Sequence, residues 1–363
     1  MTKAKRSWRL AVSGVVLGAV CLGLAAAAAA SDKPLWVRQL GTDGSDYASG
    51  VATDGAGNVY LTGVTGASLG GPNRGGSDAW VAKYDAAGHV LWKRQLGTDG
   101  LDEANGVATD AAGNVYLTGL TEGSLGGVHR GSLDAWVAKY DAAGHVLWKR
   151  QLGTETPDYA SGVATDGAGN VYLTGGTWAS LGGVYRGLYD AWVAKYDAAG
   201  HALWKRQLGT DGWDEASGAA TDGAGNVYLT GYTSGSLGGP NRGESDAWVA
   251  KYDAAGQALW KRQLGTDGFD YASGVATDGA GNVYLTGMTY APNRGEADAW
   301  VAKYDATGRL QWKRQLGTDG WDQAFGVATD AAGNVYLTGY TDGSLGGPNR
   351  GDHDVWVAKY SAD

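Results

Sequence analysis

Six segments of one pattern, Thr-Asp-Gly-x-Asp or a near variant, supply the carboxylate pairs best spaced for chemistry: Asp43 and Asp46, Asp99 and Asp102, Glu155 and Asp158, Asp211 and Asp214, Asp267 and Asp270, Asp319 and Asp322. Paired carboxylates are the oxygen ligands of Ca²⁺ and the acid and base of glycoside hydrolysis. The blander reading pairs each acid with an arginine of a nearby long loop (Arg74, Arg130, Arg186, Arg242, Arg294 or Arg350) or with backbone amides, pinning neighbouring blades. Six acids matched by six arginines favour that pairing over a cation site. No cofactor is expected, Ca²⁺ being the one candidate.

The residue between the acids varies: Ser45, Leu101, Pro157, Trp213, Phe269, Trp321. So does the residue after each Leu-Thr-Gly: Val64, Leu120, Gly176, Tyr232, Met288, Tyr340. Trp178, Tyr185 and Tyr189 add further aromatics in the third copy. Aromatic rings beside carboxylates stack on sugars or anchor a peptide. The candidate ligand-binding set is therefore Leu101, Trp178, Tyr189, Trp213, Tyr232, Phe269, Trp321 and Tyr340 with Asp102, Asp214, Asp270 and Asp322. The alternative is that each ring packs over its neighbouring repeat.

Other chemistry finds little support. The Asp54 to Asn58 stretch holds only two of the ligands that an EF-hand loop needs, and its Asp reads as a turn cap. His89, His145 and His201 share one turn position that becomes Gln257 and Arg309, so no metal duty attaches to it. His129 and His353 fall in long loops. No serine triad and no phosphate-binding glycine loop is evident. The net charge of -9 argues against a nucleic-acid partner.

These residues sit on a repeated frame. Trp36, Trp92, Trp148, Trp204, Trp260 and Trp312 are separated by 56, 56, 56, 56 and 52 residues, the short step reflecting a four-residue deletion near 288–300. In the first unit, strands are expected at 49–54, 58–63, 78–85 and 89–96, joined by tight turns at Gly55-Ala56-Gly57 and Ala86-Ala87-Gly88 and by a long glycine-rich loop. Apolar residues occupy both faces of the third and fourth strands, so each four-stranded meander needs cover on both sides. The expected fold is all-β: a six-bladed β-propeller of four-stranded antiparallel blades. The blades are 48–96, 104–152, 160–208, 216–264, 272–316, and 324–360 completed by 35–40. The chain ends support this closure, since "PLWVRQLGT" reads as a fourth strand lacking three and "DVWVAKYSAD" as a third lacking a fourth.

Ahead of the repeats, Lys3, Lys5, Arg6 and Arg9 precede an apolar run from Leu10 that ends in Ala28-Ala29-Ala30. This is the layout of a secretory signal over residues 1–30, cleaved after Ala30, with an uncleaved membrane anchor as the rival. The remaining chain, 31–363, would then lack cysteine, since Cys21 is the only one.

The motifs Asp-Tyr-Ala, Asp-x-x-Gly-Asn-x-Tyr-x-Thr-Gly and Asp-Ala-x-Val-Ala-Lys, at fixed spacing after residue 34, resemble the bacterial SBBP β-propeller repeat. The resemblance implies an exported bacterial protein of the surface or envelope and carries no catalytic motif. The family name implies seven blades, whereas six are counted. The leading expectation is a secreted, periplasmic or cell-surface non-enzymatic monomer, binding a protein or glycan, with no membrane span in the mature chain. A hydrolase or lyase at the channel mouth and a purely structural envelope or adhesion component are the alternatives.

Overall fold

A computed structural model describes residues 36–291 and 295–361. The expected leader, Leu35 and Arg294 lie outside the described residues. The chain forms a six-bladed β-propeller, and among the described residues there is no helix.

Blade one comprises β1 (Asp46–Thr53), β2 (Val59–Thr65), β3 (Asp78–Tyr84) and β4 (Val90–Leu96). Blade two comprises β5 (Asp102–Thr109), β6 (Val115–Thr121), β7 (Asp134–Tyr140) and β8 (Val146–Leu152), and blade three β9 (Asp158–Thr165), β10 (Val171–Thr177), β11 (Asp190–Tyr196) and β12 (Ala202–Leu208). Blade four holds β13 (Asp214–Thr221), β14 (Val227–Thr233), β15 (Asp246–Tyr252) and β16 (Ala258–Leu264); blade five β17 (Asp270–Thr277), β18 (Val283–Thr289), β19 (Asp298–Tyr304) and β20 (Leu310–Leu316). Blade six has β21 (Asp322–Thr329), β22 (Val335–Thr341) and β23 (Asp354–Tyr360).

Each sheet is an antiparallel meander in chain order. This topology gathers the tight turns on one face, the turn face, and the long and blade-connecting loops on the other, the loop face. First strands abut at the axis, where threonine hydroxyls link successive blades: Thr109 Oγ1 donates to Thr53 O at 2.8 Å, and Thr165, Thr221, Thr277 and Thr329 repeat the bond. These threonines and neighbouring alanines line a narrow cavity of about 290 Å³.

The core lies between blades. Trp136, Trp192, Trp248 and Trp300 are each 1% exposed. Burying about 200 Å² of such a ring contributes about 5 kcal/mol before entropy is counted. Each crosses a glycine of the neighbouring strand, as Trp80 does at Gly63, where an added Cβ would lie 1.9 Å from Tyr47 O. Trp92 docks on the next blade, its Nε1 donating to Ala142 O at 3.1 Å while Arg94 Nε reaches Gly144 O at 2.7 Å.

The turn face is structural. Asp54 Oδ1 accepts from the amides of Ala56 and Asn58, and Oδ2 from Asn58 Nδ2 and Tyr60 Oη. Gly57 closes the turn at a φ of 80°. Lys83, nearly buried, places its ammonium 5.0 Å over the Tyr60 ring and 3.9 Å from Asp54, and donates to Ala142 O of blade two.

Two expectations differ from the structure. First strands begin at Asp46, three residues earlier than expected, because a bulge at Ser49 and its equivalents carries the ladder back toward the loop face. Blade six has three strands among the described residues, and 36–40 form no strand there.

Candidate functional site

In four of the Thr-Asp-Gly-x-Asp segments the variable residue is bridged to the preceding blade. Tyr189 and Trp213 form an isolated parallel bridge, as do Ser77 and Leu101, Ser245 and Phe269, and Ala297 and Trp321. Asp214 N donates to Tyr189 O at 2.7 Å, and Ser234 N to Trp213 O at 2.8 Å. A backbone gripped on both sides presents its side chain from a rigid base, which lowers the ordering cost of binding.

The neighbouring aspartates point the other way. Asp102, Asp214, Asp270 and Asp322 are at most 2% exposed, where a ligand on the surface does not reach them. Asp102 Oδ2 accepts from Thr98 N and Thr98 Oγ1, and Oδ1 from Thr121 Oγ1 on the paired strand. Asp214 takes the same donors from Thr210 and Thr233. Thr266 and Thr318 serve Asp270 and Asp322. Burial pushes the carboxyls of Asp102 and Asp214 up from the usual range even though these donors pull down.

Of the two partners expected for these acids, the backbone amide is the one found, joined by threonine hydroxyls in place of arginine side chains. Where an arginine of the long loop approaches an acid, its amide does so: Arg74 N donates to Asp78 Oδ2 at 3.0 Å. Among the described residues, no three His, Cys, Asp or Glu side chains converge on a point where a metal ion would sit.

The aromatic candidates do come together. Trp178 lies 4.2 Å from Tyr189 and 6.3 Å from Trp213, with Tyr159 at 5.3 Å from Trp178. Tyr189 is a buried pillar of this group, and it fits because Gly176 leaves room: a Cβ there would meet its ring at 1.9 Å. Tyr232 and Tyr271 are 4.8 Å apart, Phe269 lies 5.8 Å from Tyr290, and Tyr290 5.5 Å from Trp321. Tyr340 stands 4.7 Å from His353 and 5.6 Å from Phe325. The result is an aromatic band along the loop face of blades three to six, in which Trp213 is 43% exposed. Leu101 lies in blade two, half-buried and outside this band.

A second ring escaped the sequence reading. The residue after each first-strand aspartate is Tyr47, Glu103, Tyr159, Glu215, Tyr271, Gln323, a ring alternating with an acid or, at 323, an amide. The ladder sets each opposite the variable residue of the second strand: Glu103 opposite Leu120, Glu215 opposite Tyr232, Gln323 opposite Tyr340. Burial first, then the charge of Glu122, pushes the Glu103 carboxyl up. Burial and the nearby Tyr290 and Glu215 push the Tyr271 phenol up to about 12. All six glutamates of the chain, Glu103, Glu122, Glu155, Glu215, Glu244 and Glu296, fall on loop-face segments. The alternation itself was the signal, visible once the strand start is placed at the aspartate.

A family model described as SBBP, a beta-propeller repeat, matches residues 35–70, 91–126, 147–182, 203–238, 259–293 and 311–346. A regulatory protein, FlaEY of Caulobacter vibrioides, is 29% identical over 49% of this chain and 22% of its own length. An uncharacterized WD repeat-containing protein of Acanthamoeba polyphaga mimivirus is 24% identical over 84% of this chain and 30% of its own. The chain thus spans less than a third of the length of either curated relative. Among solved structures, a puromycin hydrolase mutant aligns with TM-score 0.47 at 12% identity, covering 86% of this chain and 43% of that one. A gluconolactonase of Xanthomonas campestris aligns with TM-score 0.36 at 18% identity, covering 66% and 68%.

Proposed function

Starting from the fact that this chain belongs to the SBBP β-propeller repeat family, we propose that it is an exported, non-enzymatic binding scaffold, a monomer that engages a protein or glycan at the cell surface through its loop face. The observation that carries this reading is the aromatic band from Tyr159 to Tyr340, borne by backbone clamped between blades. Rigid rings at low entropic cost, rimmed by carboxylates, suit sugar faces and peptide anchors alike. Export rests on the Lys/Arg-then-apolar layout of residues 1–30.

The deciding experiment is a glycan, polysaccharide and peptide array probed with the protein, with calcium and with EDTA, and with Trp213→Ala/Trp321→Ala as control. Specific binding lost in the control supports the reading. A blank array from folded protein, or binding unchanged in the control, overturns it.

One observation favours a second reading, in which the loop face hydrolyses or cleaves a glycan. Glu103 is held toward its protonated form beside Glu122, the polarisation that a general acid needs. Turnover of an array-positive glycan that Glu103→Gln abolishes would establish this reading over the first.

A further inference from the structure

The outer edge of the propeller carries a groove of about 440 Å³ between blades four and five, lined by Arg242, Arg262 and Arg309 with Gln263, Tyr304 and Leu310 and by no carboxylate. Its three guanidinium groups come from three elements: the long loop of blade four, the outer strand β16, and the tight turn between β19 and β20 of blade five. Packing brings these elements together. A Cβ on Gly238 of the long loop would lie 2.8 Å from the backbone of Arg262, so the loop rests on the strand. Arg262 in turn grips blade five: its Nε donates to Gly308 O at 2.6 Å and its Nη2 to Thr307 O at 3.4 Å, while Nη1 bonds back to Lys261 O at 2.7 Å. The same guanidinium lies 5.6 Å over the Trp260 ring, so it is fixed in place. Three of the five N–H donors of an arginine are used in this way, and two remain for a ligand.

The turn that carries Arg309 departs from the repeat at several positions that act together. Blades one to three read Asp-Ala-Ala-Gly-His at 85–89, 141–145 and 197–201, and there the histidine ring lies 2.9 Å from Oδ2 of the turn aspartate. Blade five reads Asp-Ala-Thr-Gly-Arg-Leu-Gln over 305–311. Its Asp305 accepts from Thr307 Oγ1 at 2.6 Å through Oδ1 and from Gln311 Nε2 at 2.9 Å through Oδ2. Both donors are particular to this blade, Ala87 and Leu91 being their counterparts in blade one. Neutral groups thus occupy the oxygen that binds the basic side chain elsewhere, and the exposed Arg309 is left without a carboxylate in contact. Arg242 is exposed as well, and only its amide reaches an acid, donating to Asp246 Oδ2 at 3.1 Å. Ion pairs among the described residues are made by lysine and histidine, none by these arginines. The corresponding groove between blades two and three has Arg150, His201 and Lys205, of which His201 is already bonded to Asp197.

We propose that this groove is a binding site for a doubly charged oxyanion, a phosphate or sulfate group, held by Arg242, Arg262 and Arg309. Three like charges gathered in one groove repel one another until an anion joins them, and guanidinium presents its donors in a fork that matches paired oxygens. The chain has a net charge of -9, so acids to neutralise the groove are plentiful, yet its lining contains none. A phosphate group offers three strong acceptor oxygens, one for each arginine, where a carboxylate offers two and about half the charge. The groove is open along the outer edge, which admits the group as a free ion or as an ester on a larger molecule. None of its residues belongs to the aromatic band, so the assignment is independent of the reading of the loop face.

The test titrates the full chain by calorimetry with inorganic phosphate, sulfate, glycerol phosphate and acetate at about pH 8 and one fixed low ionic strength, because salt screens exposed charges. The expected result is saturable binding of phosphate, sulfate or glycerol phosphate, with acetate weaker by roughly tenfold or more. The tighter of inorganic phosphate and glycerol phosphate identifies a free or an esterified ligand. Absence of saturable binding by all three dianions, or acetate binding as tightly as they do, overturns the proposal. Arg309→Gln and Arg242→Gln, both at exposed positions, should melt as the wild type does and weaken binding by roughly tenfold or more, whereas Arg130→Gln, on the long loop of blade two, should leave binding unchanged. Binding that survives both Arg309→Gln and Arg242→Gln, or that falls equally in Arg130→Gln, overturns the assignment to this groove.

Discussion

The phenol of Tyr232 donates to Glu215 Oε2 at 3.0 Å, across a register pair that joins the first and second strands of blade four. The bond ties the two rings of variable residues together. It fixes the Tyr232 face against Tyr271 and holds a carboxylate beside the aromatic band, so recognition and framework share residues at this point.

Trp213 and Trp321 project from clamped backbone, and Trp213 is 43% exposed. Trp213→Ala/Trp321→Ala is expected to keep the β-rich circular dichroism and cooperative melting of the wild type while weakening ligand binding roughly tenfold or more. Loss of cooperative melting would show that the rings belong to the core.

Glu103 gives a pH signature of defined sign. Burial, then Glu122, raises its folded-state pKa above the ordinary 4.5. Its favourable contribution is therefore complete below pH 4.5 and is lost as pH rises through the folded value. Glu103→Gln should melt higher than wild type at pH 7 and equally at about pH 4. A variant that melts lower at pH 7 would contradict this.

Asp222 works in the opposite sense. Burial pushes its carboxyl up, but the bonds from Asn226 and Tyr228 and the Lys251 ammonium together hold it below the ordinary 3.8. Its contribution is present above pH 3.8 and is lost as pH falls through the folded value. Asp222→Ala strips the turn of its acceptor and leaves Lys251, 3.4 Å away, without its counter-ion. Chemical denaturation at pH 7 should show a cost of about 2–4 kcal/mol.

Two glycines of blade four separate packing from composition. At Gly231 a Cβ would lie 1.8 Å from Glu215 O, while at Gly223 nothing lies within 4 Å. Gly231→Ala should cost about 3 kcal/mol or more, and Gly223→Ala no more than about 0.5 kcal/mol, by denaturant midpoint. Equal effects would mean that the close strand approach is not needed.

The aspartates show where sequence reading stopped. Asp102 looks like a loop carboxylate because its neighbours, Thr98 to Leu101, have turn composition. It is instead the first residue of β5, opposite Thr121, and the bulge at Asn105 decides which way it points. A bulge is a property of two strands together, and neither strand's sequence announces it.

Repeat period, tight turns, strand order and blade number could be read from the chain alone, because glycine at positive φ, aspartate caps and apolar alternation act over a few residues and recur six times. Which carboxylates are buried, how Tyr189 fills the space left by Gly176, and how the alternating ring of Tyr159, Glu215 and Tyr271 meets the aromatic band were decided only by the assembled propeller. Those relations join residues of different strands and blades, and their geometry exists only once the ladders and blade interfaces have formed.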